Sequence, residues 1–319
     1  MSIPRNLLSL AAAATLTVAA AACGSSADEP GTSDGAKIKV VAAFYPLQEA
    51  VERVGGDRIT VIGLTPPGGG PHDLELTPKN VESIEGADAV VYLAKGFQPA
   101  VEDAVAGLDD GTVTLDVLDG VDLLPVVDGL EGTNGEVDGE ELEGGFDPHI
   151  WVDPALQADI ATEVAAMLGK LDPENAEAYE SAAGDYRAEM AALGEEFTTG
   201  LTECESRTIV TSHRAFAYLA EAYDLNQIAI AGISPDDEPD PKSLEAVAAA
   251  AEAEGVSVIF FESAVPKDLS ETVANEIGAT TDFLDPVETI ATEDLDAGVD
   301  YAAVQRKNLD SLTKGLRCG

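Results

Sequence analysis

Basic residues are scarce: 17 Lys and Arg stand against 60 Asp and Glu in 319 residues, a formal net charge of -43. Such a balance argues against nucleic acid or an anionic lipid surface as a partner. It attracts cations, but the solubility of an exported protein accounts for the same charge, so the charge alone assigns no ligand. Histidine and cysteine are rarer, at three each, and there is one tryptophan. No two histidines stand at the short spacing of a helical metal motif, so any imidazole site must be assembled across the fold. No apolar run reaches the ~20 residues of a comfortable membrane span.

The longest apolar stretch, Leu7 to Ala22, follows Arg5 and closes on small residues before Cys23. That is the layout of a signal peptide over 1–22. Ala20-Ala21-Ala22-Cys23 resembles a lipoprotein signal, in which Cys23 is lipidated; the rival is an ordinary cleaved signal with Cys23 incidental. Residues 23–36 then read as a lipidated cysteine and a flexible tether, since their Gly, Ser, Asp and Pro content cannot bury a core. The expected location is the outer face of the cytoplasmic membrane. Cys204 and Cys318 remain, and in an exported protein two such cysteines suggest a disulfide. A thiolate metal site ranks below it, because neither has a partner at metal-ligand spacing.

From Lys37 the chain alternates short β-rich runs with helical patterns, which predicts parallel sheets flanked by helices. Strands are expected at 37–44, 58–64, 89–93 and 112–117, and again at 207–211, 227–233, 256–261 and 280–284. Helices are expected between them, including one opening at a Ser212 cap and running over 213–222. Thr77-Pro78 marks a helix start. Asp172-Pro173 opens a helix without an obvious breaker to about Thr202, ~45 Å long, which is most economically a bridge. The predicted class is therefore α/β: an N-terminal lobe over 37–172, a bridging helix over 173–203 and a C-terminal lobe over 204–319. Residues 128–145 interrupt the rhythm with six glycines, seven carboxylates and no basic residue, which reads as an acidic loop leading to His149.

His72, His149 and His213 each follow a predicted strand or the loop leaving one. Neutral imidazole suits Zn²⁺ and its neighbours, and a closed site would add a carboxylate to three nitrogens. By position, Asp285 at the end of a strand is the first candidate, Glu262 the second and Glu75 the third.

Four segments together, Gly70-Pro71-His72-Asp73-Leu74-Glu75, Asp147-Pro148-His149-Ile150-Trp151, Thr211-Ser212-His213-Arg214-Ala215-Phe216-Ala217-Tyr218-Leu219 and Phe283-Leu284-Asp285-Pro286, resemble the metal-binding receptors of ATP-binding-cassette importers. These are the zinc and manganese branch of the solute-binding proteins, and the resemblance covers 37–319. It implies two similar lobes with a metal site in the cleft between them, ligands His72, His149, His213 and Asp285, and apolar packing from Trp151 and Phe216 near them. Three imidazoles and one carboxylate favour zinc as transported ligand over manganese or iron. The implied partners are a membrane permease and, through the lipid anchor, the membrane, with the receptor a monomer. The acidic loop stands where some zinc receptors carry a histidine-rich one, so capture by imidazoles is excluded there. An exported zinc hydrolase is the alternative from another class, since three histidines with an open fourth position activate water. A fourth protein ligand and the lack of a paired general base count against it. A surface adhesin or structural lipoprotein is a further alternative.

Overall fold

The structure, a computed structural model, describes residues 37–72, 74–126, 145–237, 239–263, 265 and 267–319. The signal segment, Cys23, the tether and nearly all of the acidic loop lie outside them. Lys37–Gly319 form one compact unit.

The strands β1 (Ile38–Ala42), β2 (Ile59–Gly63), β3 (Ala89–Tyr92) and β4 (Val113–Asp116) make a parallel sheet in the order β2-β1-β3-β4. The order recurs as β6-β5-β7-β8 for β5 (Thr208–Thr211), β6 (Asn226–Ala229), β7 (Val258–Phe261) and β8 (Thr280–Phe283). Each sheet therefore changes winding direction between its first and third strands, where open α/β sheets leave a crevice beyond the carboxyl ends. Strands such as Val40-Val41-Ala42 and Ala89-Val90-Val91 are wholly buried, as sheets covered on both faces require.

The first half carries α1 (Tyr45–Gly55), α2 (Pro78–Glu85), α3 (Pro99–Ala106) and α4 (Pro154–Leu171). The second carries α6 (Ala217–Ala222), α7 (Pro241–Ala253), α8 (Lys267–Ile277), α9 (Thr292–Asp296) and α10 (Tyr301–Gly315), with α5 (Ala176–Gly200) between the halves. Proline opens α2, α3, α4 and α7, where its missing N–H has no intrahelical partner to lose. Thr77 closes a capping box with Asn80 on α2. After a 3-10 turn at Pro173–Asn175, α5 runs for 25 residues, ~38 Å. Its buried residues Tyr179, Ala183, Tyr186, Met190, Leu193 and Phe197 alternate steps of four and three, which keeps one stripe along its length against the core. One cluster of buried side chains runs from Val40 through Trp151 and Phe197 to Tyr301 and Leu312, so both sheets share a core. Among the described residues no helix is long and apolar enough to cross a membrane.

Four elements differ from the sequence expectation. β6 stops at Ala229, opposite Thr211, the last residue of β5. The helix expected from His213 begins at Ala217. Ser212 spends its hydroxyl on Glu262 instead of a cap, and Arg214 donates its backbone N–H to Gly232 O at 2.8 Å, so the first turn is held open. A 3-10 turn at Ile150–Val152 and the short α9 were not anticipated.

Candidate metal centre

Four loops converge beyond the strand ends. His72 follows β2, His149 enters the Ile150–Val152 turn, His213 lies two residues past β5, and Glu288 lies in the chain after β8. All four residues are buried, His149 and His213 completely, with the side chains of His72 and Glu288 each 2% exposed.

Their geometry centres on one carboxylate oxygen. Glu288 Oε1 lies 3.3 Å from His72 Nε2, 3.2 Å from His213 Nε2 and 3.5 Å from His149 Nε2. One ligand atom from each residue lies within 4.8 Å of those of all the others. A tetrahedral zinc site with bonds of ~2.1 Å has ligand-to-ligand edges of ~3.4 Å. The three edges that meet at Glu288 Oε1 match that length. As a hydrogen-bonded cluster the same arrangement is incomplete, because His149 Nε2 is buried with no hydrogen-bond partner, a costly state that a cation among the four atoms would relieve.

The outer nitrogens are spoken for. His149 Nδ1 lies 2.8 Å from Asp147 Oδ1, and His213 Nδ1 lies 2.5 Å from Glu262 Oε1. With those nitrogens as donors, each imidazole presents its Nε2 lone pair inward, the outer-shell arrangement that fixes ring and tautomer in metal sites. Burial alone would lower the His213 pKa, but the charge and hydrogen bond of Glu262, followed by Glu288, raise it to about 10. Burial likewise would raise Glu288, yet the neighbouring imidazoles, His72 foremost, hold it well below the usual carboxylate range. A cation entering the site takes the place of that proton.

The sequence pattern of the family described as zinc-uptake complex component A, periplasmic (ZnuA), matches residues 40–315. The chain belongs to the ZnuA family. Among its relatives, the high-affinity zinc uptake system protein ZnuA of Bacillus subtilis (strain 168) is 36% identical over 304 residues, 93% of each chain. The zinc-binding lipoprotein AdcA of Streptococcus pneumoniae serotype 4 is 34% identical over 283 residues, 88% of this chain but 56% of that protein. The chain thus spans little more than half of the AdcA proteins. Among solved structures, the laminin-binding protein Lmb of Streptococcus agalactiae, described as having adhesin and metal transporting activity, superposes with a TM-score of 0.76 at 30% identity, over 88% of this chain and 99% of that one. The Zn(II)-bound ZnuA-like domain of Streptococcus pneumoniae AdcA gives 0.73 at 31%, over the same shares.

Within this ZnuA-family site, three of the four ligands expected from sequence come together and the fourth does not. Asp285 is absent from the converging group. Its Oδ1 accepts the Val287 N–H at 2.8 Å, a side-chain turn across Asp-Pro-Val that swings the chain round. Val287 takes φ 59°, unusual for a β-branched residue, and the next residue, Glu288, reaches the histidines. Asp285 therefore builds the turn. Glu262 supports His213 from outside, and Glu75 is exposed. Glu288 is one of 60 carboxylates, and the one signal the sequence carries for it is Asp-Pro followed at short range by another acid, the composition of a turn that presents a carboxylate.

Apolar rings close one side. Phe97 meets His72 edge-on at 4.8 Å between centroids, and Trp151 lies 5.1 Å from His149 and 4.7 Å from Phe44. Phe216, buried at the start of α6, belongs to the shared core. Helix α10 holds two ligand loops at once. Tyr301 donates its hydroxyl to Trp151 O at 2.7 Å, Gln305 donates to Val152 O at 2.8 Å, and Asn308 exchanges hydrogen bonds of 2.8 and 2.7 Å with the backbone of Asp285. These residues, at i, i+4 and i+7, share one helix face. The Trp151 indole completes the junction by donating to Pro286 O at 2.9 Å. From α6, Tyr218 donates to Asp147 O at 2.8 Å. The Cys204–Cys318 disulfide, expected from sequence, is present.

Proposed function

We propose that this chain is an extracytoplasmic zinc receptor that binds one Zn²⁺ through His72, His149, His213 and Glu288 and delivers it to the permease of an ATP-binding-cassette importer. The observation that carries this reading is the set of Nε2 to Oε1 separations of 3.2 to 3.5 Å, which match a zinc tetrahedron. Membership of the ZnuA family supports zinc as cargo and an importer as destination. Three imidazoles favour zinc over manganese, which prefers oxygen ligands. Four protein ligands leave no open position for an activated water, which supports a carrier role over hydrolysis.

Anchorage by lipidated Cys23 to the outer face of the cytoplasmic membrane, action as a monomer, and lobes at 37–172 and 204–319 joined by 173–203 complete the reading. The repeated strand order of the two sheets supports the lobe division. Titration of the metal-free protein with zinc against a competing chelator tests the function. One equivalent should bind, and His72→Ala, His149→Ala and His213→Ala should each weaken binding by more than the roughly 10- to 100-fold that outer-shell changes cost. Unaltered affinity in all three variants would end it.

A further inference from the structure

A cavity of about 640 Å³ adjoins the metal centre, and of the four ligands only His72 lines it. Counting backbone as well as side chain, His72 is the most exposed of the four residues at 6%, although its imidazole, at 2%, is no more open than the Glu288 carboxylate. On another side Phe44, Phe97 and Trp151, all fully buried, wall off the histidines. A divalent cation with about six waters fills on the order of 200 Å³, so the cavity holds a hydrated ion with room to spare. Its walls include Asp236, Asp285 and Asp294, with Lys307 the one cation among the described lining residues. Gly70 stands on the same wall as His72, and a Cβ built on it meets nothing within 4 Å.

Building on the zinc reading, we propose that this cavity is the passage by which the hydrated ion reaches and leaves the site, with His72 the first ligand to take it and the last to release it. Water is shed there, between carboxylates that attract the ion without holding it and the imidazole that begins to bind it. Lys307 opposes the carboxylates and limits how strongly the passage retains a cation.

A passage has a kinetic signature distinct from that of a binding site: obstructing it slows arrival and departure alike and leaves the equilibrium where it was. Stopped-flow mixing of the metal-free chain with Zn²⁺, followed by the fluorescence of Trp151, gives the association rate; excess chelator gives the dissociation rate. Gly70→Trp should lower both by tenfold or more, with Kd changed by less than threefold. Lys307→Glu, at an exposed position on α10, should raise the association rate several-fold at low ionic strength, an effect that screening removes in ~1 M salt. Wild-type rates in both variants, with zinc still bound, overturn the passage. A shifted Kd in Gly70→Trp leaves the decision to Lys307→Glu, where an unchanged association rate overturns it equally. A wild-type chain that binds no Zn²⁺ removes the function itself, a failure separable from the others.

Discussion

Asp-Pro turns recur around the metal centre. Asp147, Asp153 and Asp285 each precede a proline and each accept, through Oδ1, the backbone N–H two residues on, at 2.9, 3.0 and 2.8 Å. The first presents His149 and bonds its Nδ1 as well, the second starts α4, and the third leads to Glu288. The roles of Asp285 and Glu288 separate experimentally. Glu288→Ala should lose zinc affinity as steeply as a histidine variant, whereas Asp285→Asn, which keeps an oxygen for the Val287 N–H, should stay within threefold of wild type by isothermal titration. Equal losses would return Asp285 to the ligand set. Asp285 also carries a pH signature. Burial first, then the negative charges of Glu262 and Glu288, raise its carboxyl to about 6 against the Val287 hydrogen bond. The folded state thus holds a proton that the unfolded chain has released, and stability falls as pH rises from the ordinary carboxylate range to about 6. In urea unfolding of the metal-free protein, Asp285→Asn should remove that slope. The histidines were legible in the sequence because three in 319 residues stand out. Glu288 was not, since rarity cannot single out a carboxylate in so acidic a chain.

Helix α10 is the element on which the site depends without contributing a ligand. Its buried face, Tyr301, Gln305 and Asn308, bonds backbone groups of the His149 turn on one side and of Asp285 on the other. Asn308→Ala would leave the Asp285 N–H and carbonyl unpaired and free the Glu288 loop to shift. Zinc affinity should fall roughly 10- to 100-fold, as for outer partners of metal ligands, and the visible spectrum of the Co²⁺-substituted protein should change in band position and intensity. An unaltered Co²⁺ spectrum would reduce Asn308 to ordinary packing. Most strands, and the helices between them, were readable from their spacing. The delayed start of α6 was not, because Ser212 has the composition of a cap and only the fold brings Glu262 within its reach.

At the scale of the molecule, two sheets of identical strand order share a core, and the second sheet adds a buried cluster of its own around Val210 and Ile259. Cys204, just past α5, is joined to Cys318, just past α10, a loop of 114 residues. On chain-entropy grounds the bridge contributes about 4 to 5 kcal/mol. The Cys204→Ser, Cys318→Ser double variant should lose stability of that order in denaturant unfolding while keeping its zinc affinity, since the bridge lies past the end of α10 at Gly315, and the seven residues from Asn308 to that end already rise ~10 Å. A loss of affinity equal to that of Asn308→Ala would show that the bridge tensions the site. The alternation of strands and helices announced the twofold architecture, and the scarcity of cysteine announced the pairing. The joining of the halves depends on contacts such as Trp151 to Pro286 and Tyr301 to Glu49, 135 and 252 residues apart, which no local pattern encodes.

The position of α10 in the chain has a consequence for biogenesis. Synthesis runs from the amino end, so His72, His149, His213 and Glu288 all precede the helix face that fixes two of their loops. The four residues exist as a set before they exist as a geometry. A nascent chain that has extruded Glu288 but not Asn308 offers imidazoles and a carboxylate on untethered loops, a poor trap for any cation. If the four residues hold zinc as proposed, capture waits for α10 to dock, and a loaded molecule is one in which that helix is already in place.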